Sequence, residues 1–363
     1  MNRKTEQSIE REYLSRSLPL MSPFRSGYKE DYDKIFSVDS ILYPSSKNRK
    51  TWFGRKLWNE SFIQIDSSDY SLHINPLFNL QLGKDAGGQN TFINTRGAIV
   101  QGKLGNKFSF GSWFYENQAI FPQYWDSVIN ISRVAPGQGR AKRYNETGWD
   151  YAYSGGYVSW RALKNLNLEF GHGKNFIGNG FRSMMLSDIS TNYPYVKIDW
   201  KYKNLHYTKM FGVFSNLYYP FTDIREFYKK TGTVQMLSLN LGKKFQISFF
   251  ELNIWNNPDT SGAFKFKAAM FDPVPYLSSF IIDEDYEELN SVDGINISYN
   301  PTNKVLIYGQ LILDEWPYKV NSKIIFQRYA YQLGVKYYDC FGIKNLYGQI
   351  SLNEAPAILP IRT

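Results

Sequence analysis

The sequence holds little of the chemistry that metal centres and most enzyme sites require. It has one cysteine, Cys340, and three histidines, His73, His172 and His206. One cysteine excludes an internal disulfide, and histidines so far apart along the chain argue against a metal site. We therefore expect no metal and no other cofactor, and a protein that is not an enzyme.

Long apolar runs are missing as well. No stretch approaches the roughly 18 apolar residues that a membrane-spanning helix needs. The start, Met1 to Thr5, is polar and lacks the apolar segment of an export signal, so we expect such a signal to lie outside the sequence as given. The net charge of +9 is spread over groups such as 47–56 and 140–143 rather than along one stripe, so no nucleic-acid partner is expected.

Aromatic side chains are abundant instead. Tyr, Phe and Trp make up 17% of the chain, with 28, 26 and 9 residues. Outer-membrane barrels concentrate such side chains in girdles at the two membrane interfaces. A membrane-spanning chain without apolar helices has to be a closed barrel, because lipid cannot hydrogen-bond to unpaired backbone groups.

Period-2 alternation predicts antiparallel hairpins from Phe62 almost to the end of the chain. In one example, Leu237 and Leu239 alternate with Ser238 and Asn240, which gives one apolar and one polar face. A pair near 61–83 alternates less cleanly. Tight turns are predicted between the clearer pairs, at 105–106, 164–165, 203–204, 242–243 and 301–303.

The links between these hairpins are much longer than the turns inside them. Short turns at one end and long loops at the other are typical of a membrane barrel, whereas a soluble sandwich would have to account for every long loop. We therefore predict an all-β, antiparallel, outer-membrane β-barrel with long extracellular loops. The long links are 116–150, 174–195, 215–233, 256–291 and 314–328.

Several segments in the middle of the chain carry a family resemblance. The longest reads Phe-Gly-His-Gly-Lys-Asn-Phe-Ile-Gly-Asn-Gly-Phe-Arg-Ser from residue 170. Together the segments resemble the Wzi-type capsule assembly family of outer-membrane barrels, in particular its branch similar to the gliding-motility protein RemB. The resemblance covers roughly 60–355. The segments, in order, are 136–143, 150–152, 156–159, 170–188, 192–194, 271–274, 308–315 and 341–346.

The resemblance also implies how the chain is divided. Residues 1–55 are expected to form a polar, partly helical periplasmic segment, with a short helix near Ser8 to Leu18, and 56–355 the barrel. Residues 356–363 look like a tail foreign to the family. We count about twelve to fourteen strands, fewer than the family has, so we expect a barrel truncated at the C-terminus.

The function implied by the resemblance is non-enzymatic binding of surface polysaccharide in support of capsule assembly and attachment. The expected partners are capsular or other surface polysaccharide and outer-membrane lipid or lipopolysaccharide. Two alternatives remain. One is a gliding-motility or surface-adhesion component with surface or motility-machinery proteins as partners, and the other is a solute pore.

Candidate glycan-binding residues come from the loops and strand ends. The polar loop after His172 contains Lys174, Asn175, Arg182 and Asp188, and its apolar centre predicts inward packing as a constriction. An internal ion pair between Arg182 and Asp188 is the plainer interpretation. The other candidates are Arg140, Lys142 and Arg143, which suit anionic groups, and Asp314 and Glu315 at a strand end.

Other sites fit the sequence poorly. Lys174 is followed by Asn175 rather than by the Ser or Thr of a phosphate-binding loop. The glycines beside it suit tight strand bends and close packing. The basic loop residues also fit a plain solvated surface, and the carboxylates at 314–315 lack the second wall of a glycosidase site.

Overall fold

One antiparallel sheet of 15 strands dominates the structure, a computed structural model that describes residues 3–25, 29–38, 41, 49–215, 229–256, 268–276, 289–314 and 328–354. Neighbouring strands pair in chain order from β1 to β15, except that the short β5 pairs only with β6. Within the described residues, no register joins β1 to β15. The simple up-and-down order is the one that a chain of hairpins produces.

The strands are long at the centre of the sheet and short at its first edge. They are β1 Ile63–Asp66, β2 Tyr70–Lys84, β3 Asn90–Leu104, β4 Phe108–Ile120, β5 Ala141–Tyr144, β6 Gly148–Leu163, β7 Leu166–Gly173, β8 Tyr193–Tyr202, β9 Leu205–Ser215, β10 Lys229–Leu241, β11 Phe245–Asn256, β12 Leu289–Thr302, β13 Val305–Asp314, β14 Arg328–Tyr338 and β15 Tyr347–Glu354. Four α-helices occur in the described ranges: α1 Arg3–Ser15, α2 Lys29–Asp33, α3 Trp52–Trp58 and α4 Gln123–Ser132.

The tight turns lie where the sequence predicts them. Gly105, Lys203 and Gly242 adopt positive φ angles of 57°, 50° and 75°, which suits two-residue hairpin turns. The predicted link 116–150 is more ordered than expected, because it contains α4 and the short strand β5. The less clean pair near 61–83 is in fact β1 with the first half of the β2–β3 hairpin.

The outer face of the sheet is apolar and exposed. On β14 and β15, for example, Leu333 and Ile350 are 56% and 81% exposed. Such a surface is unstable in water but suits contact with lipid chains. The same face carries the large exposed side chains of the other strands, among them Phe78, Leu80, Leu82, Phe108, Phe114, Val158, Trp160, Phe170, Leu241, Ile297, Ile307 and Leu311.

The inner face is polar and buried, the reverse of a soluble core. Gln310 on β13 donates to Asn296 on β12 over 3.2 Å, and Ser248 donates to Ser238 over 2.8 Å. All four side chains are at most 2% exposed. An apolar exterior around a hydrogen-bonded polar interior is the arrangement of an outer-membrane β-barrel. The chain is therefore an outer-membrane protein.

None of the described helices is both long enough and apolar enough to cross a membrane.

The N-terminal segment lies against the inner wall of the sheet, and the expected periplasmic assignment of residues 1–55 stays a prediction. Helix α1 begins at Arg3, earlier than the predicted Ser8, and ends at Ser15. Ser17 donates to Asn303 in the β12–β13 turn over 3.1 Å, and Arg161 of β6 pairs with Asp31 at 2.8 Å. Contacts to walls this far apart in the sheet place the segment inside the barrel, where it enters at the short-turn end.

Candidate functional site: a constricted lumen

Two chain segments fill the lumen from opposite ends and meet inside it. The N-terminal segment enters at the short-turn end, and the loop 174–192 folds in from the long-loop end. They join at an antiparallel bridge between Phe24 and Ile177, and the backbone N–H of Gly178 donates to the carbonyl of Pro23 over 3.1 Å. We call this junction the lumen constriction.

The lumen constriction has an apolar centre. Phe24, Ile177 and Met185 are between 0% and 7% exposed, and they pack against Phe250 of β11 and Ile312 of β13. These wall residues belong to the same inner face as the hydrogen-bonded polar side chains of Ser248 and Gln310. The predicted inward packing of the apolar stretch 184–186 is therefore confirmed, and contact with the N-terminal segment explains why the stretch is apolar.

Polar contacts around this centre hold both segments to the wall. The Asn296 side chain donates to Asn179 over 3.1 Å, and Gln332 donates to the carbonyl of Arg182 over 3.2 Å. On the other segment, Asn240 and Gln246 both donate to the carbonyl of Leu20 over 3.1 Å. These amide side chains satisfy backbone groups that would otherwise be buried without partners.

A buried group of charges ties α1 to the far wall. Glu10 lies 2.5 Å from Arg25 and 2.5 Å from Lys336 of β14, and Tyr338 donates to it as well. The charged side chains are between 6% and 8% exposed. We call these four residues the latch. A buried carboxylate with two cations is stable only while its partners remain in place.

The latch sets the protonation of its members. Burial by itself would raise the pKa of Glu10, but the charges of Lys336 and Arg25 and their hydrogen bonds outweigh it and hold the pKa below its ordinary value. Burial would likewise lower the pKa of Arg25, yet the Glu10 charge raises it. Glu10 is therefore ionised throughout the physiological range.

The three basic candidates in the first long loop differ in their surroundings. Arg143 pairs with Asp126 of α4 at 3.0 Å and lies 4.2 Å from the ring centre of Trp149. Arg140 is partly buried, whereas Lys142 on β5 is exposed. Of these three residues, Lys142 alone presents its side chain openly to solvent.

The candidates in the inward loop are also held by the fold. Lys174 donates to the carbonyl of Gly137 and lies 5.3 Å from the ring centre of Tyr153, and burial lowers its pKa. Asn175 is buried and accepts from Lys197 over 3.3 Å. Arg182 and Asp188 form the ion pair of the plainer interpretation, at 3.3 Å.

The remaining candidates lie apart from these. Strand alternation places His172 on the outer face with the exposed Phe170, because Glu169 points inward to Lys197. Asp314 is buried at the end of β13, and Glu315 lies outside the described residues. The nine candidates that the structure describes therefore do not come together in one place.

Sequence reasoning missed Glu10, Arg25 and Lys336. These residues are brought together by the insertion of the N-terminal segment against β14, and no local spacing signals a contact across 326 positions. An acidic residue on the apolar side of α1, beside the buried Ile9, is the one local hint. Among the described residues, no group of three or more His, Cys, Asp and Glu side chains is placed to hold a metal ion.

Comparisons with known proteins concern the fold. No family model matches the chain, and no curated protein matches it. The solved structure of OccK3 (OpdO) from Pseudomonas aeruginosa is similar, with 11% identity over 80% of this chain and 73% of that chain and a TM-score of 0.42. OccK5 (OpdH) from the same organism has 10% identity, 80% and 75% coverage and a TM-score of 0.41. The structure described as the CymD monoaromatic hydrocarbon channel has 8% identity, 76% and 72% coverage and a TM-score of 0.24.

These comparisons contradict the expected capsule function. The expectation of a capsule-assembly glycan binder is wrong: none of these three solved structures is described as a polysaccharide-assembly protein, and one is described as a hydrocarbon channel. Identities this low say nothing about which solute passes. The resemblance to the Wzi-type family stays a prediction, because no family model tests it.

Proposed function

We propose that the protein is an outer-membrane channel for small polar solutes whose lumen is narrowed by its own chain. The observation that carries the proposal is the constriction itself, in which two separate segments enter a polar-walled lumen from opposite ends and meet at Phe24 and Ile177. A segment that served only to fill the barrel would not need a second one entering from the other side.

The wall opposite the constriction supports a passage. On β2 and β3, inward-facing side chains such as Asn79, Gln81 and Gln101 are exposed rather than covered by either segment. They are neutral amides, which exchange hydrogen bonds with passing solutes at little cost. A route along this wall suits small polar molecules and excludes bulky ones.

Planar-bilayer recording tests the proposal with a matched pair of variants. The full chain should give small, steady conductance steps. Phe24→Ser removes a ring that is 1% exposed in the constriction and should enlarge those steps. Phe181→Ser makes the same change at a ring that is 57% exposed and should leave them unchanged.

A swelling assay with liposomes gives the size limit. Uncharged polar solutes of increasing size should enter vesicles that contain the full chain up to a cut-off, and Phe24→Ser should raise that cut-off. If neither the full chain nor Phe24→Ser gives conductance or swelling, the channel proposal fails.

A further inference from the structure

We propose that Ser61, His73 and Asp66 form a hydrolytic triad that cleaves carboxylic esters entering the lumen. The Ser61 hydroxyl Oγ lies 3.0 Å from Nδ1 of His73, and Nε2 of the same ring lies 3.0 Å from Oδ1 of Asp66. A hydroxyl, an imidazole and a carboxylate hydrogen-bonded in this order are the parts of a serine hydrolase.

The β1–β2 hairpin assembles the three side chains. Gln64 of β1 lies opposite His73 of β2, and Asp66 lies opposite Ser71, so Asp66 and His73 are diagonal neighbours on the inner face. Asn75 fixes the approach of Ser61, because its amide donates to Ser61 Oγ over 3.2 Å while its carbonyl accepts from the N–H of Phe62 over 2.9 Å.

The carboxylate selects the useful tautomer of the histidine. Asp66 accepts a hydrogen bond from Nε2–H of His73. The proton is therefore on Nε2, and the lone pair of Nδ1 is free to accept the proton of Ser61. Gln64 donates to the other carboxylate oxygen, Oδ2, over 2.6 Å and so holds Asp66 in place. The two ring nitrogens are used in the opposite sense to chymotrypsin-type triads, but each group keeps its role.

The reaction balances with water as the second reactant. Ser61 Oγ bonds to the ester carbonyl carbon as its proton passes to Nδ1 of His73, and the alcohol then leaves with that proton. Water, deprotonated by His73, attacks the acyl-serine, and the carboxylic acid departs as the Ser61 hydroxyl is restored. The Asn75 amide, already beside Oγ, is placed to donate to the oxyanion of each tetrahedral intermediate.

Exposure separates this triad from the other histidine–carboxylate pair. The His73 and Asp66 side chains are 33% and 50% exposed, so a substrate in the lumen can reach them. His206 and Asp199 are 13% and 3% exposed, and their contact is closed in by the strand neighbours. Of these two histidine–carboxylate pairs, only the one in the hairpin combines a nucleophile, a base and access.

Labelling of the purified full-length protein tests the triad. A fluorophosphonate probe, which reacts with activated serines, should label Ser61, as located by mass spectrometry of the digested protein. Labelling should vanish in Ser61→Ala and fall in His73→Gln, and it should persist in Ser109→Ala, a matched change on the inner face of β4.

Hydrolysis gives the second measurement. The full chain should cleave p-nitrophenyl acetate, and Ser61→Ala should slow the cleavage by about a hundredfold or more, with Asp66→Asn also impaired. Resistance of each variant to SDS unfolding confirms that the barrel is intact. Cleavage at equal rates by the full chain and Ser61→Ala, together with no probe on Ser61, overturns the proposal. Conductance is measured on the same samples, so failure here leaves the channel proposal independently tested.

Discussion

A few atoms of the latch account for much of the free energy needed to move the N-terminal segment out of the lumen. Glu10 is the only carboxylate among its members, and it forms ion pairs with both Arg25 and Lys336 at 2.5 Å. Removing one partner from such a group costs free energy because a buried charged group loses a hydrogen bond that water does not replace. Single substitutions in the latch should therefore change the position of the N-terminal segment.

Replacing the wall cation should release the segment. We expect Lys336→Met to weaken the attachment of α1 by roughly 1.5–3 kcal/mol, because Glu10 loses its ion pair to β14 and keeps only the hydrogen bond from Tyr338 there. Limited proteolysis should then cut the N-terminal segment faster than in the unaltered protein. Lys344→Met, the same change at an exposed position after β14, is the control. Equal proteolysis rates in the two variants would show that the latch does not hold the segment.

The latch should stay intact to a lower pH than a glutamate with an ordinary pKa would allow. Since the pKa of Glu10 is lowered in the fold, its contribution to stability is present above the unfolded value of about 4.3 and is lost only as the pH falls through the lower, folded value. Conductance should therefore stay constant from pH 7 to about pH 4. In Lys336→Met, which lacks one cation, the rise in conductance should begin at higher pH. A rise near pH 5 in the unaltered protein would contradict this assignment.

The path of the inward loop 174–192 requires a backbone conformation at Gly178 that favours glycine. Gly178 has a φ of +146°, and a Cβ there would lie 2.4 Å from Nε2 of Gln310 and 3.1 Å from Oγ of Ser183. A side chain therefore brings both backbone strain and a clash with the wall. The loop can therefore lie against β13 only if residue 178 has no side chain.

Gly178→Ala should push the loop away from β13. We expect a loss of roughly 1–3 kcal/mol in loop attachment and noisier, larger conductance steps in planar bilayers. Gly87→Ala is the matched control, because its Cβ would meet only Asp85, at 3.4 Å. Unchanged steps in Gly178→Ala would mean that the loop does not limit the passage.

Elements set by local pattern were predictable, and those set by distant contacts were not. The turn at Gly242 and the strands around it follow from alternation and turn chemistry, and the structure confirms them. The position of α1 inside the barrel depends on Lys336 and Asp339, which lie more than three hundred residues away. The Ser61–Asp66–His73 group escaped notice because β1 is too short to show a clear period of two.

At the scale of the whole molecule, the apolar outer face of the sheet suits lipid and the polar inner face suits water. Leu333 lies near the middle of β14 on the outer face, whereas Ser351 of β15 points inward. The two residues lie on adjacent strands, but Leu333 faces lipid and Ser351 faces the lumen. A change that one position tolerates should therefore be damaging at the other.

Arginine scanning should expose this division. Leu333→Arg should destabilise the folded protein in lipid by roughly 2–4 kcal/mol, because the charge must enter the hydrocarbon near its midplane. Ser351→Arg, on the water-accessible side, should cost much less. Urea unfolding of the protein in phospholipid vesicles measures both. Equal losses would mean that the outer face does not contact lipid chains.

The latch also has a consequence for how the chain folds. Glu10 and Lys336 are separated by 326 positions, so their contact joins α1 to a strand near the far end of the described sheet. Contacts of such long range form late, since the entropy of closing the intervening chain must first be offset. Until β14 is in place, the N-terminal segment has no charged wall to bind. Pairing of β14 with β13 and insertion of the N-terminal segment are thus coupled late steps, and a chain stalled before them leaves this segment unbound and accessible to proteases.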